Sequence, residues 1–301
     1  MRGNDRRKPG GGKPGAKPER SSAPPFRLAS FGQAFTALSE FRPQPDGAWR
    51  ADLSPNPGLY FDRFFDAWPD EWDAKPDSTA KAAFLDRVIT CAKAAKTDDA
   101  LNAMLARRSD LVRSRSGLSA RFKSDWRWTA GLGRSSPVEN GFNWHHSLGV
   151  PYLPGSSVKG MLRSWYETWG GSADDAKALF GPRPGKGIDL TAGRLIVLDA
   201  LPVPEVKLVR DVMTPHYGPY YAGGDNPPAP GDWYSPIPIP FLTLAQDQVF
   251  DFAILPRRPQ DRGILDEVMA QLAAALEWIG AGAKTAVGYG RFTRAEERGA
   301  P

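Results

Sequence analysis

The sequence contains one cysteine, Cys91, and three histidines in 301 residues. A single thiol excludes an internal disulfide framework and any cysteine-based zinc site. His145, His146 and His216 are too few for a histidine-rich metal centre. No carboxylate cluster suggests a two-metal nuclease. No apolar run approaches the ~18 residues of a membrane-spanning helix. No apolar stretch follows the basic pair Arg6-Arg7, so no secretory signal is expected. These absences predict a reduced, soluble, cytoplasmic protein with no cofactor, no metal and no membrane partner.

What is abundant is glycine and proline. The 31 glycines and 29 prolines make up about a fifth of the chain, against roughly 12% on average, which favours turns and loops over long bundles. Hydrophobic residues, at 41%, suffice for a core. The net charge of +5 has a local source. Residues 1–25 hold seven basic and two acidic side chains, and the other 276 residues carry 32 of each sign. The folded part is therefore neutral, and any polyanion site in it must come from local patterning. Residues 1–25 have almost nothing apolar to bury and read as a disordered basic tail.

Residues 26–57 read as a Pro-rich lead-in, followed by helices. Tyr60, Phe61, Phe64, Phe65 and Trp68 share one helical face. Ser78 is placed to cap a second helix bearing Phe84, Val88, Cys91 and Ala95, which makes Cys91 a core residue. Thr97 is placed to cap a third, with Asp98 and Asp99 at its positive end and Leu101, Met104, Leu105, Leu111 and Val112 as its stripe. After Gly117 the period changes to two. A strand is predicted over 121–130, with Phe122, Ser124, Trp126, Trp128 and Ala130 on one face. Then follow a helix from Ser156-Ser157 and a short one near Asp174–Leu179. A strand over 193–201 and a long aromatic insertion over about 207–237 come next. A hairpin over 239–255, a helix over 262–279 and a last strand over 286–294 complete the chain. From residue 120 the order is β-α-β-β-α-β, an α+β, ferredoxin-like (RRM-like) layout with helices on one sheet face and the other face free. The expected units are a tail (1–25), a lead-in and helical segment packed on the core (26–116), and this domain (117–301).

Five features could carry chemistry. In Tyr152-Leu153-Pro154-Gly155-Ser156-Ser157-Val158-Lys159-Gly160-Met161-Leu162-Arg163, a tight turn opens a helix. First-turn N–H groups have no intrahelical partner, and Lys159 and Arg163 share a face, as an anion site requires. The same residues read equally as a capped helix with surface charges. In Gly280-Ala281-Gly282-Ala283-Lys284-Thr285-Ala286-Val287-Gly288-Tyr289-Gly290-Arg291-Phe292, the glycines permit close backbone approach to a ligand. A P-loop is excluded because Ala283 precedes the lysine and the segment follows a helix. A dinucleotide fingerprint lacks its third glycine. A histidine could serve as general base of a metal-free ribonuclease, or stack, or pack. The insertion aromatics (Tyr217, Tyr220, Tyr221, Trp233, Tyr234) suit base stacking or an interface. Residues 107–134 hold eight basic side chains and two acidic ones, either an RNA track or a solvated face.

Several segments together resemble the RAMP superfamily of CRISPR proteins, in the branch that supplies subunits to the type III-B Cmr effector complex. They are Gly131-Leu132-Gly133 through Glu139-Asn140-Gly141, Gly149 through Gly160, Asp211-Val212-Met213-Thr214-Pro215-His216-Tyr217 and the terminal glycine-rich loop. The resemblance covers about 117–294 and is looser over 58–113. It implies a non-catalytic RNA-binding subunit that holds the 3′ region of a CRISPR RNA and caps the filament. Its implied partners are CRISPR RNA, target RNA, other RAMP subunits and small helical subunits. It places Ser156, Ser157, Lys159, Arg163, Gly282, Lys284, Tyr289 and Arg291 on the RNA. Gly155, Arg134, His146, His216 and Thr285 complete the candidate set. The loop Leu132-Gly133-Arg134-Ser135-Ser136 lacks the aspartate of the target-cleaving RAMP subunit. An RNA-processing endoribonuclease and a purely structural cap are the alternatives.

Overall fold

The computed structural model describes residues 55–65, 76–185, 191–224 and 226–295. The basic tail, nearly all of the lead-in and Trp68 lie outside the described residues.

Three helices come first. Helix α1 (Pro57–Arg63) starts where Asn56 Oδ1 accepts the Leu59 N–H at 3.0 Å. Helix α2 (Ser78–Ala94) is capped by Asp77, whose Oδ1 accepts the Ala80 N–H at 2.7 Å. Ser78 is not the cap as expected. It is already helical, and its hydroxyl donates to the Pro238 carbonyl. Helix α3 (Asp98–Ser114) begins after Thr97, whose side chain makes no capping bond. Leu101 and Val112 are buried on it, but Leu111 is 44% exposed and leaves the predicted stripe.

The elements after residue 117 are β1 (Leu118–Ser124), α4 (Gly155–Trp165), a π turn (Tyr166–Gly170) and α5 (Ala173–Phe180). Then come β2 (Leu195–Val197), β3 (Leu201–Pro202), β4 (Leu208–Met213), α6 (Gly218–Ala222), β5 (Ile239–Leu244) and β6 (Val249–Pro256). After a 3-10 turn (Pro259–Ile264), α7 (Leu265–Trp278), a second 3-10 turn (Thr285–Val287) and β7 (Phe292–Arg294) end the described chain. The result is a mixed α+β fold built on an antiparallel sheet. The main sheet runs β2-β6-β1-β7, with β3 also on β6, and a separate two-stranded sheet pairs β4 with β5.

Alternation dictates what each face buries. Ala120 and Phe122 of β1, Phe250, Phe252 and Ile254 of β6 and Phe292 of β7 point to one side. There they meet Val158 and Leu162 of α4 and Leu265, Val268, Leu272, Ala275 and Leu276 of α7. Phe122, Phe252 and Phe292 pack edge to face. Each buried ring contributes roughly 1.5–3 kcal/mol by removal from water. Tyr60, Phe61, Phe84, Val88 and Cys91 belong to the same core. Burial pushes the Cys91 thiol up to about 12, which suits a packing residue.

Three expectations are corrected. Residues 239–255 are not a hairpin: β5 pairs with β4 and β6 pairs with β1, so the two consecutive strands belong to different sheets. β1 stops at Ser124 rather than 130. Beyond it Trp126 is 46% exposed, while Trp128 bridges to Leu244 and stays fully buried. Finally, the second sheet face is not free. Helix α3 lies across it, with Val112 packed on Ala253 and Leu255. Arg108 of α3 donates from Nε to Asp251 Oδ1 at 2.7 Å and from Nη1 to the Asp199 carbonyl at 2.5 Å. No helix among the described residues is long and apolar enough to cross a membrane.

Candidate functional site

Two of the singled-out motifs, more than a hundred residues apart in sequence, meet in space. Ser157, Met161 and Ser164 stand at i, i+4 and i+7, one stripe of α4. Opposite them runs the glycine loop, Gly280–Ala283 with Thr285. Ala130, Gly131, Asn143, Leu153 and Ile279 complete a cleft of about 330 Å³. Its polar lining is neutral, made of hydroxyls, one amide and backbone groups. The α4 stripe was legible as a helical period. Asn143 reaches the cleft only through the fold, from a loop with no local signal.

The loop's shape follows from its glycines. Gly282 has φ +118, and a Cβ there would stand 2.4 Å from the Thr129 carbonyl oxygen. Gly290 has φ +68, and a Cβ would meet the Ala281 carbonyl oxygen at 2.3 Å. Backbone bonds cross at both contacts, Ala283 N–H to Thr129 C=O and Ala281 N–H to Gly290 C=O, each 2.8 Å. These glycines let the loop lie flat on the chain after β1. The tight approach at Gly282 and Gly290 is to protein backbone, not to a ligand. Lys284 is itself left-handed (φ 58), with Nζ 5.8 Å from the centre of the Phe241 ring.

Other candidates have partners of their own. Tyr289 donates its hydroxyl to Asp211 Oδ2 at 2.5 Å, and Arg127 Nη1 reaches the same oxygen at 2.5 Å. Burial first, then the bond to Asp211 and its charge, push the Tyr289 phenol up to about 12. Arg291 Nη1 donates to the Glu277 and Trp278 carbonyls at the end of α7, where a cation complements the helix dipole. Arg163 donates to Glu167 and to the Gly181 carbonyl. Of the eight basic residues over 107–134, Arg108, Arg113, Lys123 and Arg127 are ion-paired.

The start of α4 is also partly occupied. The Gly155 N–H donates to Asp199 Oδ1 at 2.7 Å, and the Ser157 and Val158 N–H groups bond to the Pro154 carbonyl. The expectation of open first-turn donors therefore fails at Gly155, Ser157 and Val158. Ser156 and Ser157 remain exposed. Lys159 and Arg163 sit about 200° around the helix from Ser157 and Met161, on the far flank of the buried stripe.

The histidines do not converge with these groups in one cluster. The His145 ring nitrogen Nδ1 is tied into its own turn near Ser147 and the Leu148 N–H. Burial lowers its pKa, opposed by Asp199 and reinforced by His146. His146 and Arg134 are exposed beside Asp62 of α1, whose carboxyl is raised by burial against their opposing charges. His216 is exposed between β4 and α6. Among the described residues no group of three or more His, Cys, Asp or Glu side chains could hold a metal ion.

The family model described as the RAMP superfamily matches residues 112–293, the span that contains the sheet, α4 and the glycine loop. A relative in Pyrococcus furiosus, CRISPR system Cmr subunit Cmr6, is 30% identical over 240 residues, 61% of this chain and 70% of that protein. The chain belongs to the RAMP superfamily, in its Cmr6 branch. A second Cmr6, from Saccharolobus solfataricus, is 31% identical over 160 residues, about half of each chain (51% and 48%). A chain of a type III-B Cmr-beta complex, solved bound to cognate target RNA, superposes with a TM-score of 0.52 at 23% identity over 66% of each chain. That superposition supports the RAMP fold. The cleft lies within the matched span, between α4 and the terminal glycine-rich loop.

Proposed function

We propose that this Cmr6-branch RAMP protein is a non-catalytic, RNA-binding subunit of a type III-B CRISPR effector complex. In this reading it works in the cytoplasm, holds the 3′ region of the CRISPR RNA and caps the filament. Its partners are CRISPR RNA, target RNA, other RAMP subunits and small helical subunits. The strand order β2-β6-β1-β7, with α4 and α7 on one face, supports reading the core as ferredoxin-like. The single observation that carries the function is the cleft where Ser157 and Ser164 of α4 face Gly282 and Thr285. At about 330 Å³ it falls in the range of small-ligand pockets. Its neutral hydroxyl and amide lining suits a ribose or base.

The test uses purified protein with end-labelled single-stranded RNA, one incubation split between native and denaturing gels, with and without EDTA. A shifted, uncut RNA is expected. Cleavage that survives EDTA and disappears in His145→Ala, His146→Ala or His216→Ala makes the protein a ribonuclease instead. Neither shift nor cleavage at low salt favours the structural cap. That reading draws on the internal use of Gly282, Gly290 and Arg291.

A further inference from the structure

A second cavity, of about 240 Å³, adjoins the extended segment that carries Asn143. That segment pairs with the chain returning from Gly149. The His145 N–H bonds to the Val150 carbonyl at 2.8 Å, and the Tyr152 N–H to the Asn143 carbonyl at 3.2 Å. Successive side chains of extended backbone point to opposite sides. Asn143 accordingly lines the glycine-loop cleft, while Trp144 lines this second cavity. The other walls are the start of α1 at Pro57, the junction of α2 with α3, and the chain from Glu205 to Leu208. Trp144 is 3% exposed, and its indole Nε1 is buried with no hydrogen-bond partner. Buried donors in folded proteins nearly always have one. The rest of the ring is fixed by packing. Gly58 lies on its Cβ–Cγ–Cδ2 side, where a Cβ would stand 2.6 Å away, and the Phe61 and Phe142 rings pack at 6.1 and 5.3 Å.

We propose that this cavity binds a small uncharged amide, whose carbonyl accepts from Trp144 Nε1 and whose N–H donates to a carbonyl in the last turn of α2. Three observations support it besides the indole. Helix α2 ends on the cavity. Its C-cap N–H, from Ala95, closes on the Cys91 carbonyl, and the last-turn carbonyls beyond Cys91 have no intrahelical partner. Helix α3 begins there without a capping bond from Thr97, so donors and acceptors stand on one wall, as an amide requires. Charge is balanced. Lys207 pairs with Glu205 at 3.5 Å, and the two other charged residues, Lys93 and Asp98, have opposite signs and are exposed. That balance favours a neutral ligand over a phosphate or carboxylate. The remaining wall, with Val150, Pro151, Val206 and Leu208, is apolar. The volume lies below the roughly 300–1,000 Å³ of pockets for drug-sized ligands, which suits one amide on a short hydrocarbon body. The site is independent of the RNA-binding reading above.

The experiment follows the indole N–H signals of the full chain, labelled at tryptophan, by NMR during titration with ε-caprolactam. Trp144→Phe removes one of ten indole signals and so assigns it. If that variant is unstable, the signal displaced in Ala92→Leu serves instead, since Ala92 lines the same cavity. The Trp144 signal should move downfield and saturate while the other indoles stay in place. Ala92→Leu adds bulk to the wall and should weaken binding about tenfold or more, with a melting temperature close to wild type. N-methyl-ε-caprolactam, which keeps the carbonyl and lacks the N–H, should bind more weakly than the parent lactam. A Trp144 signal that does not move, or that drifts without saturating alike in wild type and Ala92→Leu, overturns the site and leaves water as the partner of the indole. Tighter binding of the blocked peptide N-acetyl-alanyl-leucyl-alaninamide than of the lactam overturns a free small molecule as the occupant and assigns the cavity to a loop of a protein partner.

Discussion

Asp211 shows how a residue picked out by pattern acquires its role from distant partners. It accepts from Tyr289, 78 positions away, and from Arg127, and so ties β4 to the glycine loop and to the chain after β1. Burial works to raise its carboxyl. The hydrogen bonds from Tyr289, Arg127 and the Val212 N–H, with the charge of Arg127, outweigh burial and hold it below the usual carboxylate range. A carboxyl depressed in the folded state stabilises above its unfolded pKa, near 3.9, and loses that contribution as pH falls through the lower folded value. Asp211→Asn should therefore cost about 1–3 kcal/mol at pH 7. In urea unfolding, the gap to wild type should close below about pH 4. An equal gap at pH 7 and pH 3 would contradict the ion-pair account. The same lesson holds for Tyr289 and Arg291. Their types and spacing marked them as RNA contacts, but the groups that engage them, Asp211 and the carbonyls closing α7, are not local in pattern.

Elements were read best where one period ran long. Helices α4 and α7 fall close to where their apolar stripes put them, because each buries a continuous apolar stripe. Strands fared worse, because an alternating run specifies a face and not a partner. The runs in β5 and β6 are joined by four residues and look like a hairpin, yet β4, hidden in the supposed insertion, takes β5 away. The covered sheet face has a comparable origin. Nothing in α3 announces that Arg108 will be buried, since Asp251, its partner, is 143 positions on. That pair is the test of how α3 is held. Both side chains are largely buried (8% and 15% exposed), so Arg108→Ala leaves a carboxylate without its cation and should cost about 3–5 kcal/mol. Arg108→Met with Asp251→Leu should recover most of that loss in thermal unfolding. If the single variant melts like wild type, α3 is held by Val112 and its apolar neighbours alone.

At the scale of the whole molecule, one sheet carries the rest. It packs α4 and α7 on one face and α3 on the other, and the glycine loop crosses from α7 to β7 beside α4. The cleft exists because both of its walls are fixed by this core and not by each other. Charge is arranged on the same plan. Residues 26–301 carry 32 basic and 32 acidic side chains, and half of the basic stretch over 107–134 is spent in ion pairs. The arrangement of charge over the fold is not legible in the net charge of +5, an excess equal to that of residues 1–25.

The most direct test of the cleft is to fill it. Ser157 is exposed at its wall, so Ser157→Trp should fold and place an indole where a nucleotide would sit. Filter binding of single-stranded RNA should show affinity reduced about tenfold or more, equivalent to about 1.4 kcal/mol, with a melting temperature close to wild type. Wild-type affinity in a folded Ser157→Trp protein would contradict the claim that RNA occupies the space between α4 and the glycine loop.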